Sequence, residues 1–225
     1  MKELRRLARR RGRERSGAFV AEGEDLLAAA DAAGWPALER FVAVGSGLEG
    51  VEVEPDVLSK VSALGSGTRA LAVYEERWTA PAGPLCVYLH AVGDPGNVGA
   101  VLRSALAFGA ACVALGPGCA DPFGPRAVRA SMGAIFSVPV TRVEGPGDLP
   151  GERIALVPRA GDALSGPAES EVTLVVGAER DGLPAELVAA CDRTVHIPIA
   201  AESLNAAMAA TVALYELTRN RMAAS

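Results

Sequence analysis

The sequence predicts an α/β protein in which a small α/β unit precedes a larger domain built on a parallel sheet. From Leu85 onward, continuously apolar strands alternate with helical segments, an order that favours a parallel sheet covered on both faces. Two prolines and a glycine in RWTAPAGP, Arg77 to Pro84, indicate a linker between the two parts. We therefore predict domains at residues 1–78 and 79–225.

The elements of each part follow from periodicity and turn residues. A basic helix opens the chain, and GAFVAEGEDLLAAADAAG predicts a short strand and a helix that ends at Gly34. RFVAVG and RALAVYEE predict strands on either side of the helix PDVLSKVSAL. In the second part, the predicted strands are LCVYLHAV, ACVALG, RIALVP, VTLVVG and TVHIPI.

Composition and cysteine spacing exclude several classes of protein. The 225 residues are 50% hydrophobic and 22% charged, as in an ordinary globular protein. No apolar stretch is long enough to cross a bilayer and no signal-peptide segment follows the basic N-terminus, so we expect a cytoplasmic protein without membrane contact. The cysteines form no CxxC pair and no histidine lies near them at metal-ligand spacing, so we expect no metal, no disulfide and buried reduced thiols at Cys86, Cys112, Cys119 and Cys191.

Charge is distributed unevenly along the chain. Residues 1–15 contain eight basic and two acidic side chains, a net charge of +6, whereas the remainder carries −11 of the total of −5. A basic head on an acidic body indicates contact with a polyanion, most simply nucleic acid, with Arg9, Arg10 and Arg11 as candidates. A solvated helix end would have the same composition.

The loop after LCVYLHAV leads into the helix that contains Arg103. Its glycine spacing departs from the dinucleotide-binding pattern and no acidic residue follows at the expected distance, so a nicotinamide-dependent oxidoreductase is disfavoured. Asn97 is either the N-cap of this helix or a site residue. Arg103 stands among apolar residues, one turn after Gly99, whose missing side chain is predicted to make room beside the guanidinium. This arrangement suits a cation lining a cleft.

Two further loops contain unusual residues. In VVGAERDGLP, Gly177 and Gly182 permit positive φ and close approach to a ligand, and Glu179 is either a surface charge or held inward. In HIPIAAESLNAAMAATVALYELTRNR, Ser203 is predicted to cap a long helix, and Asn205 has an amide available for a ligand or a neighbouring loop. This helix is expected to bury, in part, Leu204, Met208, Val212, Leu214 and Tyr215.

Four segments in order, DPGNVGAVLRSALAFGA, RAVRASMGAIFSVPV, LVVGAERDGLP and IPIAAESLNAAMAATVALYEL, resemble the successive motifs of the SpoU (TrmH) RNA methyltransferases of the SPOUT superfamily. The resemblance runs from about Leu85 to the end of the chain. More loosely, RRRGRERSGAFVAEGEDLL is similar to the N-terminal substrate-binding domain of many members. Arg180 stands where these proteins commonly have glycine, and Ile199 where they commonly have methionine.

The resemblance implies a homodimer formed through a C-terminal domain with a deep trefoil knot, which transfers a methyl group from S-adenosylmethionine to a ribose 2′-hydroxyl of RNA. Large-subunit ribosomal RNA is the expected substrate; the alternatives are transfer RNA, or a non-catalytic RNA-binding or ribosome-associated protein. The implied catalytic residues are Asn97, Arg103, Ser203 and Asn205. The implied cofactor residues are Gly177, Ala178, Glu179, Gly182, Leu183, Ile197, Ser203, Leu204 and Asn205.

The chemistry gives Arg103 a role. A ribose hydroxyl is a weak nucleophile that must be aligned with the methyl group while it loses its proton. Because arginine stays protonated, Arg103 is expected to position the substrate and stabilise charge, with the general base left open. Arg126 and Arg129 are three residues apart and are candidate phosphate contacts, or a solvent-facing pair.

Overall fold

The computed structural model describes residues 1–63 and 67–219 and contains two sheets. In the first sheet, of order β1-β4-β2-β3, the strand β4 runs antiparallel to β1 and β2, and β3 runs parallel to β2. The helix predicted from PDVLSKVSAL ends at Val61, and its last predicted residue, Leu64, lies outside the described residues. The elements are α1 (Lys2–Leu7), α2 (Arg10–Ser16), β1 (Ala18–Glu22), α3 (Glu24–Ala32), β2 (Glu39–Ala43), β3 (Val51–Val53), α4 (Pro55–Val61) and β4 (Ala70–Glu75).

The second sheet has seven strands in the order β7-β6-β5-β10-β8-β11-β9, and its neighbouring strands are parallel, as predicted. Two 3-10 turns, Ala134–Phe136 and Pro146–Asp148, interrupt the connections. The elements are β5 (Leu85–Leu89), α5 (Pro95–Ala107), β6 (Cys112–Leu115), α6 (Pro125–Ala130), β7 (Val140–Arg142), β8 (Glu152–Leu156), β9 (Asp162–Ala163), β10 (Val172–Val176), α7 (Ala185–Ala189), β11 (Arg193–His196) and α8 (Ala206–Thr218).

Both faces of the central strands are covered. In β5, Val87 and Leu89 belong to the main core with residues of α5 and α8. Tyr88, on the opposite face, packs with Val175 and with Leu187 of α7. This two-sided burial explains why the strand sequences are apolar without alternation. Among the described residues, no helix combines the length and apolarity that a bilayer crossing requires.

Helices α5 and α6 pack in close contact at Gly99. A Cβ atom at this position would collide with the Ala127 carbonyl oxygen and would lie 2.6 Å from the Ala130 Cβ. The space left by the missing side chain is therefore filled by α6, and the prediction that Gly99 makes room beside Arg103 is wrong. A glycine that faces a cleft and a glycine that faces another helix have the same sequence spacing. The spacing alone therefore does not reveal which neighbour lies against Gly99.

A buried ion pair connects α2 to the second sheet. The Arg13 guanidinium lies 2.6 Å from the Asp121 carboxylate, and the two side chains are 4% and 8% exposed. Arg13 also donates to the Leu7 carbonyl. Arg13 is therefore a structural residue and not part of the exposed basic head. The main core contains residues of both sheets, and the domain division at residue 78 stays a prediction.

The expectation of four reduced cysteines is wrong for two of them. Cys86 and Cys112 are register partners on the adjacent strands β5 and β6 and form a disulfide, with a Cα–Cα distance of 5.0 Å. The pairing depends on strand order, which cysteine spacing alone does not reveal. Cys119 and Cys191 are free and half-buried, and burial raises the pKa of both thiols.

The close contact at Gly99 makes a stability prediction. Replacing Gly99 with alanine forces α5 and α6 apart, and we expect the free energy of unfolding to fall by about 1–3 kcal/mol. Urea denaturation measures this change. A matched Gly145→Ala variant, whose added Cβ would meet nothing within 4 Å, should stay within about 0.5 kcal/mol of the parent. Equal stabilities of the two variants would contradict this account of the contact.

Candidate active site

Three loops meet at the carboxyl edge of the seven-stranded sheet, where ligands of parallel sheets usually bind. They follow β5, β10 and β11 and comprise residues 90–94, 177–184 and 197–205. Because β10 lies between β5 and β8, and β11 pairs with β8, the strand order brings the ends of these loops together. The three loops are those that the sequence analysis selected.

The first loop places Asn97 at the start of α5. Asp94 is the N-cap of this helix, and its carboxylate accepts a hydrogen bond from the Asn97 backbone N–H at 3.1 Å. Pro95 occupies the first helical position, which needs no N–H donor. Asn97 is therefore not the cap, and its side-chain amide is available for other partners.

The Asn97 amide joins the three loops. Its Nδ2 donates to Oε1 of Glu179 in the second loop. Its Oδ1 accepts a 3.0 Å hydrogen bond from Nδ2 of Asn205 at the end of the third loop. Glu179 is thus held by a side-chain partner, although the residue is exposed. The sequence left open whether the side chains of Asn97, Glu179 and Asn205 face solvent, cap a helix or belong to a site. The structure places all three in this hydrogen-bond network.

Asn205 also caps α8. Its Oδ1 accepts hydrogen bonds from the backbone N–H groups of Ala207 and Met208, at 3.0 and 3.3 Å. The prediction of Ser203 as the cap is wrong, because α8 begins at Ala206 and the asparagine oxygen reaches the free donors of its first turn. Ser203 instead lies exposed in the loop before the helix.

A tight hairpin presents Glu179. Ala178 and Gly182 exchange two backbone hydrogen bonds, at 3.2 and 3.0 Å, and residues 179–181 form the tip. Gly182 has a φ of +66°, as predicted from its permissive backbone. A Cβ at Gly177 would collide with the Gly182 carbonyl, so the close approach at Gly177 is to the chain's own backbone.

A cleft opens beside this hairpin, between aliphatic walls. Of the residues predicted to bind the cofactor, Gly177, Ala178, Glu179, Gly182, Ile197, Ser203 and Leu204 line it. Leu183 packs instead against the core behind the sheet, and Asn205 reaches the site only through Asn97. The wall after β8 was not among the predicted site residues, and the end of RIALVP was the available signal for it. The additional lining residues are Leu156, Val157, Pro158, Val176, Arg180, Ile199, Ala206 and Ala209.

Arg103 is not part of this cluster. It lies on α5 six residues after Asn97, about 9 Å along the helix axis. The side chain is exposed, and within residues 1–63 and 67–219 it makes no hydrogen bond or ion pair. It does not line the cleft of its own chain.

The predicted RNA-binding arginines are all exposed. Arg126 lies 3.6 Å from the carboxylate of Asp94, the cap of α5, and is therefore close to Asn97. Arg129 donates to both carboxylate oxygens of Asp25 at 3.1 Å. Arg10 pairs with Glu14, and Arg9 and Arg11 lie beside it on the surface. Exposed ion pairs of this kind contribute little stability and are easily exchanged for a phosphate.

An apolar face covers the outside of α8. The expectation that Met208, Val212 and Tyr215 are partly buried is wrong: they are 63%, 41% and 55% exposed. Their spacing places them on one side of the helix. Leu106 of the neighbouring α5 is also exposed, and a hydrogen bond of 2.6 Å between the Ser104 and Thr211 hydroxyls joins the two helices. This face is available for contact with another molecule.

Metal-ligating side chains are not grouped in the part of the chain that the structure describes, where no cluster of three or more His, Cys, Asp or Glu could hold an ion.

Tyr88 of β5 is shielded from water, and burial raises the pKa of its hydroxyl to about 12.

Comparison with known proteins identifies the family. The model of the SpoU rRNA Methylase family matches residues 84–215. The 23S rRNA (guanosine(2553)-2'-O)-methyltransferase RlmP of Bacillus subtilis is 29% identical over 96% of this chain and 95% of its own length. The 23S rRNA (uridine(2479)-2'-O)-methyltransferase of Streptomyces viridochromogenes is 38% identical over 57% of this chain, which spans half of that relative.

The structural comparison extends over nearly the whole chain. The structure of the SpoU methyltransferase AviRb from Streptomyces viridochromogenes, in complex with the cofactor AdoMet, matches with a TM-score of 0.87 and 28% identity. The match covers 98% of this chain and 97% of AviRb. Since the family model spans more than half of the chain and includes the three loops of the candidate site, this chain belongs to the SpoU rRNA Methylase family.

Proposed function

We propose that this protein transfers a methyl group from S-adenosylmethionine to a ribose 2′-hydroxyl of large-subunit ribosomal RNA. The observation that carries the proposal is the Asn97 amide, which joins Glu179 and Asn205 beside a cleft at the carboxyl edge of the sheet. The relatives named 23S rRNA 2'-O-methyltransferases and the AdoMet-bound AviRb structure support the reaction, the cofactor and the ribosomal substrate.

The cleft fits S-adenosylmethionine by its chemistry. Aliphatic side chains such as Leu156, Ile197 and Leu204 line its walls and suit a purine ring. Glu179, Arg180 and Ser203 supply polar and charged groups for the remainder of a cationic, zwitterionic molecule. When bound, S-adenosylmethionine supplies a methyl group activated by its sulfonium.

The chain's own residues orient the nucleophile. Asn97 uses one side-chain N–H and one oxygen lone pair within the network, which leaves a second donor and a second acceptor for the ribose. The Arg103 guanidinium binds a neighbouring phosphate, which aligns the hydroxyl and stabilises the charge that develops on its oxygen. Orientation of this kind lowers the barrier because it places the oxygen in line with the methyl group of an already activated donor.

A homodimer brings Arg103 to the reaction. Arg103 lies one turn before Leu106 on α5, so it borders the apolar face formed with Met208, Val212 and Tyr215 of α8. We propose that this face binds the same face of a second copy, as symmetric dimers require. Each Arg103 then serves the cleft of the partner chain, which explains why it is absent from its own.

The trefoil knot and the division into domains 1–78 and 79–225 complete the proposal. The loops after β8, β10 and β11 all line one cleft, which supports a knotted arrangement. The last strand of the first sheet ends at Glu75 and the first strand of the second begins at Leu85, which supports the linker. The basic helices lie in the first part, and the proposed RNA contacts are Arg9, Arg10, Arg11, Arg126 and Arg129.

The direct test is transfer of labelled methyl from S-adenosylmethionine to total RNA of a strain that lacks this gene, followed by nuclease digestion and nucleoside analysis. We expect a labelled 2′-O-methylnucleoside in the large-subunit RNA. Label on a base would overturn the ribose assignment, and label in transfer RNA would overturn the ribosomal substrate. Binding of RNA without any transfer, including to ribosome assembly intermediates, would favour a non-catalytic binding protein.

Arg103 allows catalysis to be separated from folding. Because the side chain is exposed and without a partner in the described parts of the chain, Arg103→Ala should change the free energy of unfolding by less than about 0.5 kcal/mol. We expect methyl transfer to fall by about 100-fold or more, with calorimetric affinity for S-adenosylmethionine unchanged. Full activity of the variant would exclude the assigned role.

Disruption of the apolar face tests the dimer. A glutamate at Val212 places a charge in the proposed interface, and we expect sedimentation analysis of Val212→Glu to show a monomer with normal secondary structure and little methyl transfer. Glu39→Gln, at the exposed first residue of β2, serves as a surface control that stays dimeric. A parent protein that is already monomeric would refute the proposed dimer.

The basic head should determine part of the salt dependence of RNA binding. Replacing Arg9, Arg10 and Arg11 together with glutamine removes three candidate phosphate contacts but keeps the buried Arg13. The slope of log K against log salt should flatten by about 2–3 units, while cofactor binding stays unchanged. An unaltered slope would mean that these side chains belong to a solvated helix and do not contact phosphates.

A further inference from the structure

Arg180 stands at the tip of the hairpin that forms one side of the cleft. The backbone hydrogen bonds between Ala178 and Gly182 close this hairpin and hold residues 179–181 in place. Glu179 and Arg180, neighbours on the tip, both line the cleft, but their partners differ. The Glu179 carboxylate accepts a hydrogen bond from Asn97, and the Arg180 guanidinium makes no such bond within the described residues. The hairpin therefore fixes the position from which the guanidinium extends.

Arg180 is the one cation among the described residues that line the cleft. Within the described ranges, its guanidinium forms no hydrogen bond and no ion pair. Glu179, the acidic residue of the same lining, is already engaged by the Asn97 amide. The cleft thus contains a positive group with its full hydrogen-bonding capacity available.

The ligand that the proposed function assigns to this cleft has a matching group. S-adenosylmethionine ends in an α-amino acid, whose carboxylate is ionised at neutral pH. Arginine binds carboxylates through two parallel N–H···O hydrogen bonds, a geometry that its planar guanidinium provides without rearrangement. We infer that Arg180 binds the carboxylate of the methionine part of S-adenosylmethionine.

The placement favours the cofactor over an RNA phosphate. Arg180 shares the cleft with the aliphatic residues Ile197, Ile199 and Leu204, which suit the apolar part of the same small molecule. The cations proposed for RNA, such as Arg103 and Arg126, lie outside this lining. Because the hairpin is closed by its own backbone bonds, the backbone at Arg180 needs no further ordering when the guanidinium binds, although the side chain loses rotamer freedom. The inference rests on the proposed function, because it assumes that the cleft takes this cofactor.

The test compares two ligands that differ only in the carboxylate. Calorimetry measures binding of S-adenosylmethionine and of decarboxylated S-adenosylmethionine to the full chain and to Arg180→Gln. We expect the variant to bind S-adenosylmethionine about 5- to 20-fold more weakly, the effect typical of one charge-assisted contact near solvent. Affinity for the decarboxylated ligand should be unchanged or tighter, because the variant removes a like charge. Arg180→Lys should retain an intermediate affinity.

A matched control separates this contact from a general change in charge. Arg193→Gln removes an exposed arginine at the start of β11, outside the cleft lining, and should leave both affinities unchanged. Equal weakening of both ligands by Arg180→Gln, or unchanged cofactor affinity with a raised KM for RNA, would overturn the inference alone. Failure of the parent protein to bind S-adenosylmethionine would overturn the proposed function as well.

Discussion

The candidate site depends on one side-chain amide. Asn97 donates to Glu179 and accepts from Asn205, so a single group holds together loops that follow three different strands. These contacts also set the helix geometry, because Asn205 caps α8 through its oxygen while its nitrogen binds Asn97. The start of α8, the hairpin tip and the start of α5 are therefore coupled, and the edge of the cleft has a defined shape.

A second polar side chain joins separate parts of the chain between the two sheets. Arg13 and Asp121 form a buried ion pair that fixes α2 against the loop after β6, and one arm of Arg13 also binds the Leu7 carbonyl. Around this contact, Phe19 of the first sheet packs against Phe123 and Phe136 of the second part. The exposed arginines of α2 are consequently held on a rigid base and not on a free arm.

Local patterns predicted what depends on local chemistry. The continuously apolar strands predicted the parallel sheet, and the glycines and amides of the three loops predicted the region of the cleft. Burial of Arg13, the neighbour of Gly99 and the exposed face of α8 depend on distant parts of the chain, which residue spacing does not encode. The prediction of the α8 cap was wrong for another reason. Serine and asparagine are both good caps, and the hydrogen bond that Asn205 donates to Asn97 favours Asn205 over Ser203.

The direction of the amide network makes position 97 specific for an amide. Replacing Asn97 with aspartate would exchange Nδ2, which donates to the Glu179 carboxylate, for a second negatively charged oxygen. Two carboxylates would then face each other where a hydrogen bond had been. The join between the hairpin and α5 therefore depends on a side chain that is both a donor and an acceptor, a requirement that neither its size nor its charge alone would satisfy.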